Sequence, residues 1–420
     1  MTDSNEQRID EITTTLANIR AEIENYVMPQ AFRKQLEDDL AEAERLLTES
    51  ASAADKKVND FQAYWSKVTQ TGWVEHAVLQ SPGVSDNGKI TFSPDGTLLA
   101  ASSYEGKNLV LWDISSSEQF AFLKDHIKFM AHMTFSPDGN TLAYSDGGYV
   151  YLWDVAKKYQ RVKITLDGYN TTPIVFSPDG TMFTTNFALA QNSAVSLWRT
   201  TDAQKITTLQ GHTAPARCSA FSPDGSLLAT SSSRENTVRI WDVANKRQQM
   251  VLRGDAQPAQ CIAFSPDGTM LAVATEDGVI QFWDMGTGRI RSALRGHNGC
   301  IEKIAFNHDG TKLASSSNAD VSIRLWDVVS GRELLVRKGN STNDLVSFTL
   351  NPNGVTLACW ILSSLSAPAT IELWNTATGQ QIDALQLSGS VDDVAFSPDG
   401  FMLACTSGSN VKLWRQVMRK

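Results

Sequence analysis

"FSPDGSLLATSSSRENTVRIWDV", Phe221–Val243, holds the two signals that decide the fold. Its first five residues spell a tight turn. Proline presets φ for the second position of a type I turn, aspartate suits the third, and glycine accepts the positive φ that reverses the chain. Phe221 reads as the last inward-facing residue of the strand before. A stretch of small residues follows, "LLATSSS" from Leu227, and then an alternating run ending in tryptophan, "TVRIWDV" from Thr237.

Working outward, the same spelling recurs along the chain. FSPDG also begins at Phe92, Phe135, Phe176, Phe264 and Phe396, with degraded copies "FNHDG" at Phe306 and "LNPNG" at Leu350. Trp112, Trp153, Trp198, Trp241, Trp283, Trp326, Trp374 and Trp414 end the second strand, 40–48 residues apart. A third run such as "RIRSALRGH" from Arg289, and a fourth such as "ARCSAF" from Ala216, complete each unit. Four short strands in each period of about 43 residues is the arithmetic of a propeller blade. The turn is a hairpin corner that every blade repeats, and it carries no chemistry of its own.

The pattern "GH … FSPDG … WD" resembles the WD-repeat (β-transducin-like) family over about residues 73–420, most clearly from Arg295 to Val328. The resemblance implies a structural hydrogen-bond tetrad of His297, Ser315 or Ser317, Asp320 and Trp326. In another repeat His212 stands with Glu235 and Trp241. Asp255 replaces the histidine of the next repeat, where Asp277 and Trp283 remain, and the other repeats lack the aspartate in register. Eight tryptophan-ended units predict eight blades rather than seven with the unit around Leu350 displaced. The last unit, "NVKLWRQVMRK", lacks a fourth strand, and "GWVEHAVLQ", Gly72–Gln80, has no other partner. Pairing it with Val411–Trp414 would cover an edge that otherwise invites aggregation. The expected fold is all-β: an eight-bladed WD-repeat β-propeller over residues 72–420, closed by an N-terminal strand and preceded by an α-helical segment over 1–70.

Before Gly72 the hydrophobic period changes from 2 to 3.6. Ile9, Ile12, Leu16, Ile19, Ile23 and Tyr26 step by three and four, a narrow apolar seam. Pro29 interrupts it. Phe32, Leu36, Leu40, Ala43 and Leu47 form a second stripe, and Val58, Phe61, Trp65 and Val68 a third. Two readings stay open: a helical hairpin within the chain, or a coiled coil with a second copy or another helical partner.

Net charge is −9, of which residues 1–72, with 14 acidic and 8 basic groups, carry −6. That balance, with lysine and arginine dispersed, argues against nucleic acid. No apolar run approaches the roughly 18 residues of a membrane span, and no secretory signal is visible, so a cytoplasmic protein is expected. P-loop, dinucleotide, nucleophile-elbow and zincin motifs are missing. The six histidines include His132 and His308, which have no metal-ligand spacing around them, and the five cysteines have no C-x-x-C. Neither a metal, nor a cofactor, nor a catalytic residue is expected.

What remains is a surface. In the family's topology the loops leading into each innermost strand and the loops before each tryptophan strand share one face. The lead-in loops would present Phe129, Met130, Tyr169, Arg217, Gln260, Glu302, Lys303 and Asp392, and the other loops Tyr104, Phe187, Arg234 and Glu235. Aromatic and arginine side chains dominate interface energetics. The expectation is a non-catalytic scaffold for protein–protein interaction whose loop face binds a protein or peptide, with the N-terminal helices docking or oligomerising it. A regulatory subunit anchored through its helices is the alternative, and a channel-mouth enzyme built on His132, Glu302 and Asp392 the least supported.

Overall fold

The computed structural model describes the chain except residues 1, 25, 28–29, 50–52, 55, 61–71, 81–87, 103–107, 125–131, 146, 171–173, 187–192, 233, 255–256, 340, 342–343, 363–368, 408–409, 417 and 420. Eight four-stranded antiparallel sheets follow one another along the sequence. Blade 5 is representative: Ala259–Phe264 innermost, then Met270–Thr275, Val279–Asp284 and Arg289–Arg295 at the outer edge. Its middle strands are buried on both faces because a blade stands on either side, whereas the outer strand exposes nearly every residue. Blade 7 is complete, from Leu345–Leu350 to Gln381–Gln386, so the unit around Leu350 is a full member of the propeller.

The hydrophobic cores lie between sheets rather than within them. Phe282, Ile280 and Leu294 of blade 5 share a cluster with Ile304, Leu313 and Trp326 of blade 6, and the same interleaving joins blades 6 and 7. Each buried tryptophan removes about 150–250 Å² from water and ties its sheet to a neighbour. Opposite that tryptophan, seven blades carry a register shift in the outermost strand, as between Phe282 and Trp283 in blade 5. A bulge at this position increases the local right-handed twist of the sheet.

The repeated turn does more than its proline and glycine foretell. Ser93 N–H and Gly96 N–H close the corner onto Leu98 O and Ser93 O, both at 2.9 Å. The Ser93 hydroxyl donates to Asp95 at 2.5 Å and accepts from Leu98 N–H at 2.9 Å. Corners of successive blades also touch. A Cβ on Gly139 would lie 3.6 Å from Pro94 Cδ of the blade before, and one on Gly96 would lie 3.6 Å from Pro398 of blade 8. The last corner therefore abuts the first.

Two further contacts join blade 8 to blade 1. Ile90 N–H donates to Asp393 Oδ2 at 3.3 Å, and the Thr406 hydroxyl donates to Gly88 O at 3.1 Å. Blade 8 takes its fourth strand from the other end of the chain: Trp73–Gln80 pairs with Asn410–Gln416, outside Met402–Ser407 and Val394–Phe396. This is the closure that the orphan segment predicts, and Glu75 meets Lys412 across it at 3.6 Å.

By contact density the chain divides into two compact units. One comprises Val78–Asp399 with Ala404–Val411, and the other Met1–Ala77 with Gly400–Leu403 and Lys412–Lys420. In the second, helices α1 (Thr2–Ile23) and α2 (Gln30–Glu49) form a hairpin. Ile12, Leu16, Ile19 and Ile23 are buried against Leu36, Leu40 and Ala43, together with Ala54, Val58 and Val74. The α1 seam is thus filled within the chain. Ile9, expected in that seam, is 36 % exposed, because it lies beyond the buried stretch that begins at Ile12. Arg20 pairs with Glu44 at 3.2 Å, and Tyr26–Val27 forms a two-stranded ladder with Met418–Arg419. Phe61, Trp65 and Val68 lie outside the described residues. No described helix is long and apolar enough to cross a membrane.

Candidate functional site

The best-defined polar groups are the tetrads. In blade 6 Trp326 Nε1 donates to Ser315 Oγ at 2.8 Å, Ser315 Oγ lies 2.8 Å from His297 Nε2, and His297 Nδ1 lies 3.1 Å from Asp320 Oδ2. The register explains why Ser315 is the member: Leu313 pairs with Trp326, and Ser315, two residues on, keeps to the same face of the sheet. Ser317 instead donates to Cys300 O at 2.6 Å. Blade 4 repeats the arrangement with Trp241, Thr230, His212 and Glu235 at 2.8, 2.9 and 2.9 Å.

Burial depresses the pKa of both imidazoles, outweighing the neighbouring carboxylates, so each is neutral at pH 7. The carboxylate can only accept, so Nδ1 carries the proton. Nε2 then accepts from the hydroxyl, whose oxygen accepts the indole N–H. The carboxylates also hold the loops: Asn298 N–H donates to Asp320 at 3.0 Å, and the Thr213 hydroxyl donates to Glu235 at 2.7 Å. Glu235 is therefore committed to the tetrad rather than to a partner. In blade 5 the Trp283 indole N–H has no partner among the described residues, and Asp255, at the histidine position, lies outside them.

Placement of the expected face is mixed. Tyr104, Phe129, Met130 and Phe187 lie outside the described residues. Tyr169, expected in a lead-in loop, lies within the outermost strand of blade 2. That strand runs on to Asn170 through an irregular register after Thr165, which turns loop into edge. Arg217 is exposed on a bulge between Ala216 and Cys218. Gln260 occupies the equivalent bulge of blade 5, yet it is buried rather than displayed, because its side chain turns inward. Arg234 and Glu302 are exposed and Asp392 half-buried. Glu302 accepts Asn318 N–H at 2.9 Å, and burial raises its pKa. Arg217, Glu302 and Cys300 share one electrostatic neighbourhood across blades 4 to 6. His132 opens the innermost strand of blade 2, and no grouping of histidine, cysteine and acid able to hold a metal occurs among the described residues.

The thiols are free. Cys218 Sγ donates to Gln260 O at 2.7 Å and Cys261 Sγ to Ile301 O at 3.5 Å. Neighbouring innermost strands thus come well within the ordinary sheet spacing of about 10 Å, because blades converge toward the axis. Burial pushes Cys218 up to about 11 and Cys261 higher still, so both stay protonated and unreactive.

Comparison with known proteins agrees with this architecture. The WD domain, G-beta repeat model matches residues 84–113, 117–154, 203–242, 246–284, 288–327 and 380–415, together more than half of the chain. Rattus norvegicus apoptotic protease-activating factor 1 is 30% identical over 141 residues, 34% of this chain and 11% of that protein. Schistosoma mansoni WD repeat-containing protein SL1-17 is 32% identical over 144 residues, 34% of this chain and 46% of that one. Saccharomyces cerevisiae U3 small nucleolar RNA-associated protein 21 is 34% identical over 97 residues, 23% of this chain and 10% of its own length. The match therefore spans about a tenth to a half of these relatives. With six matched repeats and eight blades of this construction, the chain belongs to the WD domain, G-beta repeat family.

Proposed function

We propose that this protein is a non-catalytic interaction platform whose lead-in-loop face binds a protein or peptide partner, while the N-terminal helical segment docks or multimerises it. One observation carries the reading. The polar chemistry of the blades is spent on holding loops, as Asp320 and Glu235 show, while Arg217, Arg234 and Glu302 stay exposed. Such a surface presents shape and charge without a nucleophile, a metal set or an activated base. The RNA association in the name of the yeast relative does not extend to this chain, because a net charge of −9 opposes phosphate binding.

Capture of partners from lysate by the intact protein and by a variant combining Phe129→Ala with Arg217→Glu tests the face. The partners held by the intact protein should be lost from the variant at unchanged melting temperature; an identical partner list ends the proposal. Light scattering with and without residues 1–70 reads the second role. A mass that does not change in proportion to the truncated segment assigns self-association to it.

A further inference from the structure

One layer of the channel wall is built from equivalent positions, three residues before each turn phenylalanine or its replacement. In blades 4 and 5 it holds Cys218 and Cys261, in blade 6 Lys303, in blade 8 Asp393 and in blade 1 Lys89. Each thiol spends its one proton on a carbonyl of the next blade. Lys303 does the same with its amine, donating to Phe348 O of blade 7 at 2.6 Å, but it brings a positive charge and two more N–H groups. It touches solvent while protein surrounds it, the situation of a group lining a narrow wet channel.

The charges that act on Lys303 are Asp393, which favours its ammonium, and Lys89, which opposes it. Asp393 is already engaged: its Oδ2 accepts Ile90 N–H at 3.3 Å and lies 3.9 Å from Lys89 Nζ. Two ammonium groups thus share one carboxylate at the loop-face end of the channel. Burial holds Lys303 below the usual lysine range, so its ammonium is under-compensated.

We propose that Lys303 and Lys89 form a carboxylate-binding site at the channel mouth, taking an acidic side chain of a peptide that docks on the lead-in-loop face. The site rests on the interaction reading above and adds a chemical class to it. A carboxylate there supplies the missing counter-charge and accepts the N–H groups that Phe348 leaves over.

Lys303 is its own reporter. The intact protein is acetylated with an amine-reactive ester, and the rate at Lys303 is read by mass spectrometry against Lys157, whose side chain is 70% exposed. The probes are the capped tripeptide Gly-Glu-Gly, its Gly-Gln-Gly counterpart, and inorganic phosphate, at constant ionic strength. With a Kd of about 5 mM, the glutamate peptide at about 20 mM slows Lys303 roughly five-fold and leaves Lys157 unchanged. The glutamine peptide should not protect. Lys89→Gln should cut the protection by about three-fold or more, consistent with losing one of two cations. Equal protection by both peptides, none by either, or protection indifferent to Lys89 would overturn the site. Phosphate protecting as well as the glutamate peptide would overturn the carboxylate assignment. Since the lysate capture varies Phe129 and Arg217 and leaves Lys303 untouched, a failed protection beside a successful capture rejects this site alone.

Discussion

Ser315→Ala deletes one oxygen at the centre of the blade 6 tetrad. That oxygen is fully buried, receives Trp326 Nε1 at 2.8 Å and lies 2.8 Å from His297 Nε2. Alanine leaves two buried polar nitrogens without partners, at a cost of about 1–3 kcal/mol each. Partial relaxation brings the expected loss to roughly 2–4 kcal/mol. Ser145 supplies the control, being equally buried with a hydroxyl that has no partner among the described residues. Ser145→Ala therefore costs little, within about 0.5 kcal/mol, or stabilises, because it strands nothing. Urea unfolding at pH 7 followed by circular dichroism separates the two, provided the slopes match. Equal losses for the two variants would refute the claim that the tetrad holds the blade through its hydrogen bonds rather than through buried volume.

Four further outcomes are expected. Because His212 and His297 have depressed folded pKa values, the unfolded chain binds more protons below about 6.5; stability is whole above that pH and falls as pH drops through the window, which melting curves between pH 7.5 and 5 would show. Glu235, held down to about 2 from 4.5, loses its contribution between those values as pH falls, so Glu235→Gln flattens the acid limb of the same curve. Gly310→Ala should cost about 1–2 kcal/mol, since φ is +72° and a Cβ would lie 3.1 Å from Pro266 Cδ; a neutral result would deny that the corners touch. Leu40→Ala, at a site 1 % exposed in the helical hairpin, should cost about 2–5 kcal/mol there and speed proteolysis of residues 1–60, and unchanged digestion would contradict the hairpin.

The elements legible in the sequence are those written within one blade. Strand alternation, the proline and glycine of the corner and the spacing of the tryptophans need only local geometry, and the pairing of Trp73–Gln80 with the last blade follows by counting strands. What escaped is written between blades. The contact of Pro398 with Gly96 and the bond of Ile90 to Asp393 join positions some three hundred residues apart, and nothing in a single repeat announces them. The inward turn of Gln260 could not be read either, since Arg217 has the same register and the opposite exposure. Lys303 was legible as a charged residue near a loop. Its relation to Lys89 depends on the ring closing, and the shared offset of three residues before the turn phenylalanine is the signal that could have found it.

The central claim is a ring closed by its own two ends, on which every assignment of a loop to a face depends. Hydrogen exchange of the intact protein, read by mass spectrometry over 73–80 and 410–416, tests it most directly. The account predicts that both segments exchange as slowly as Val279–Asp284 in the middle of blade 5, and that deleting residues 1–80 releases 410–416. Exchange of 73–80 at the rate of an unstructured chain, with 410–416 still protected after the deletion, would contradict it.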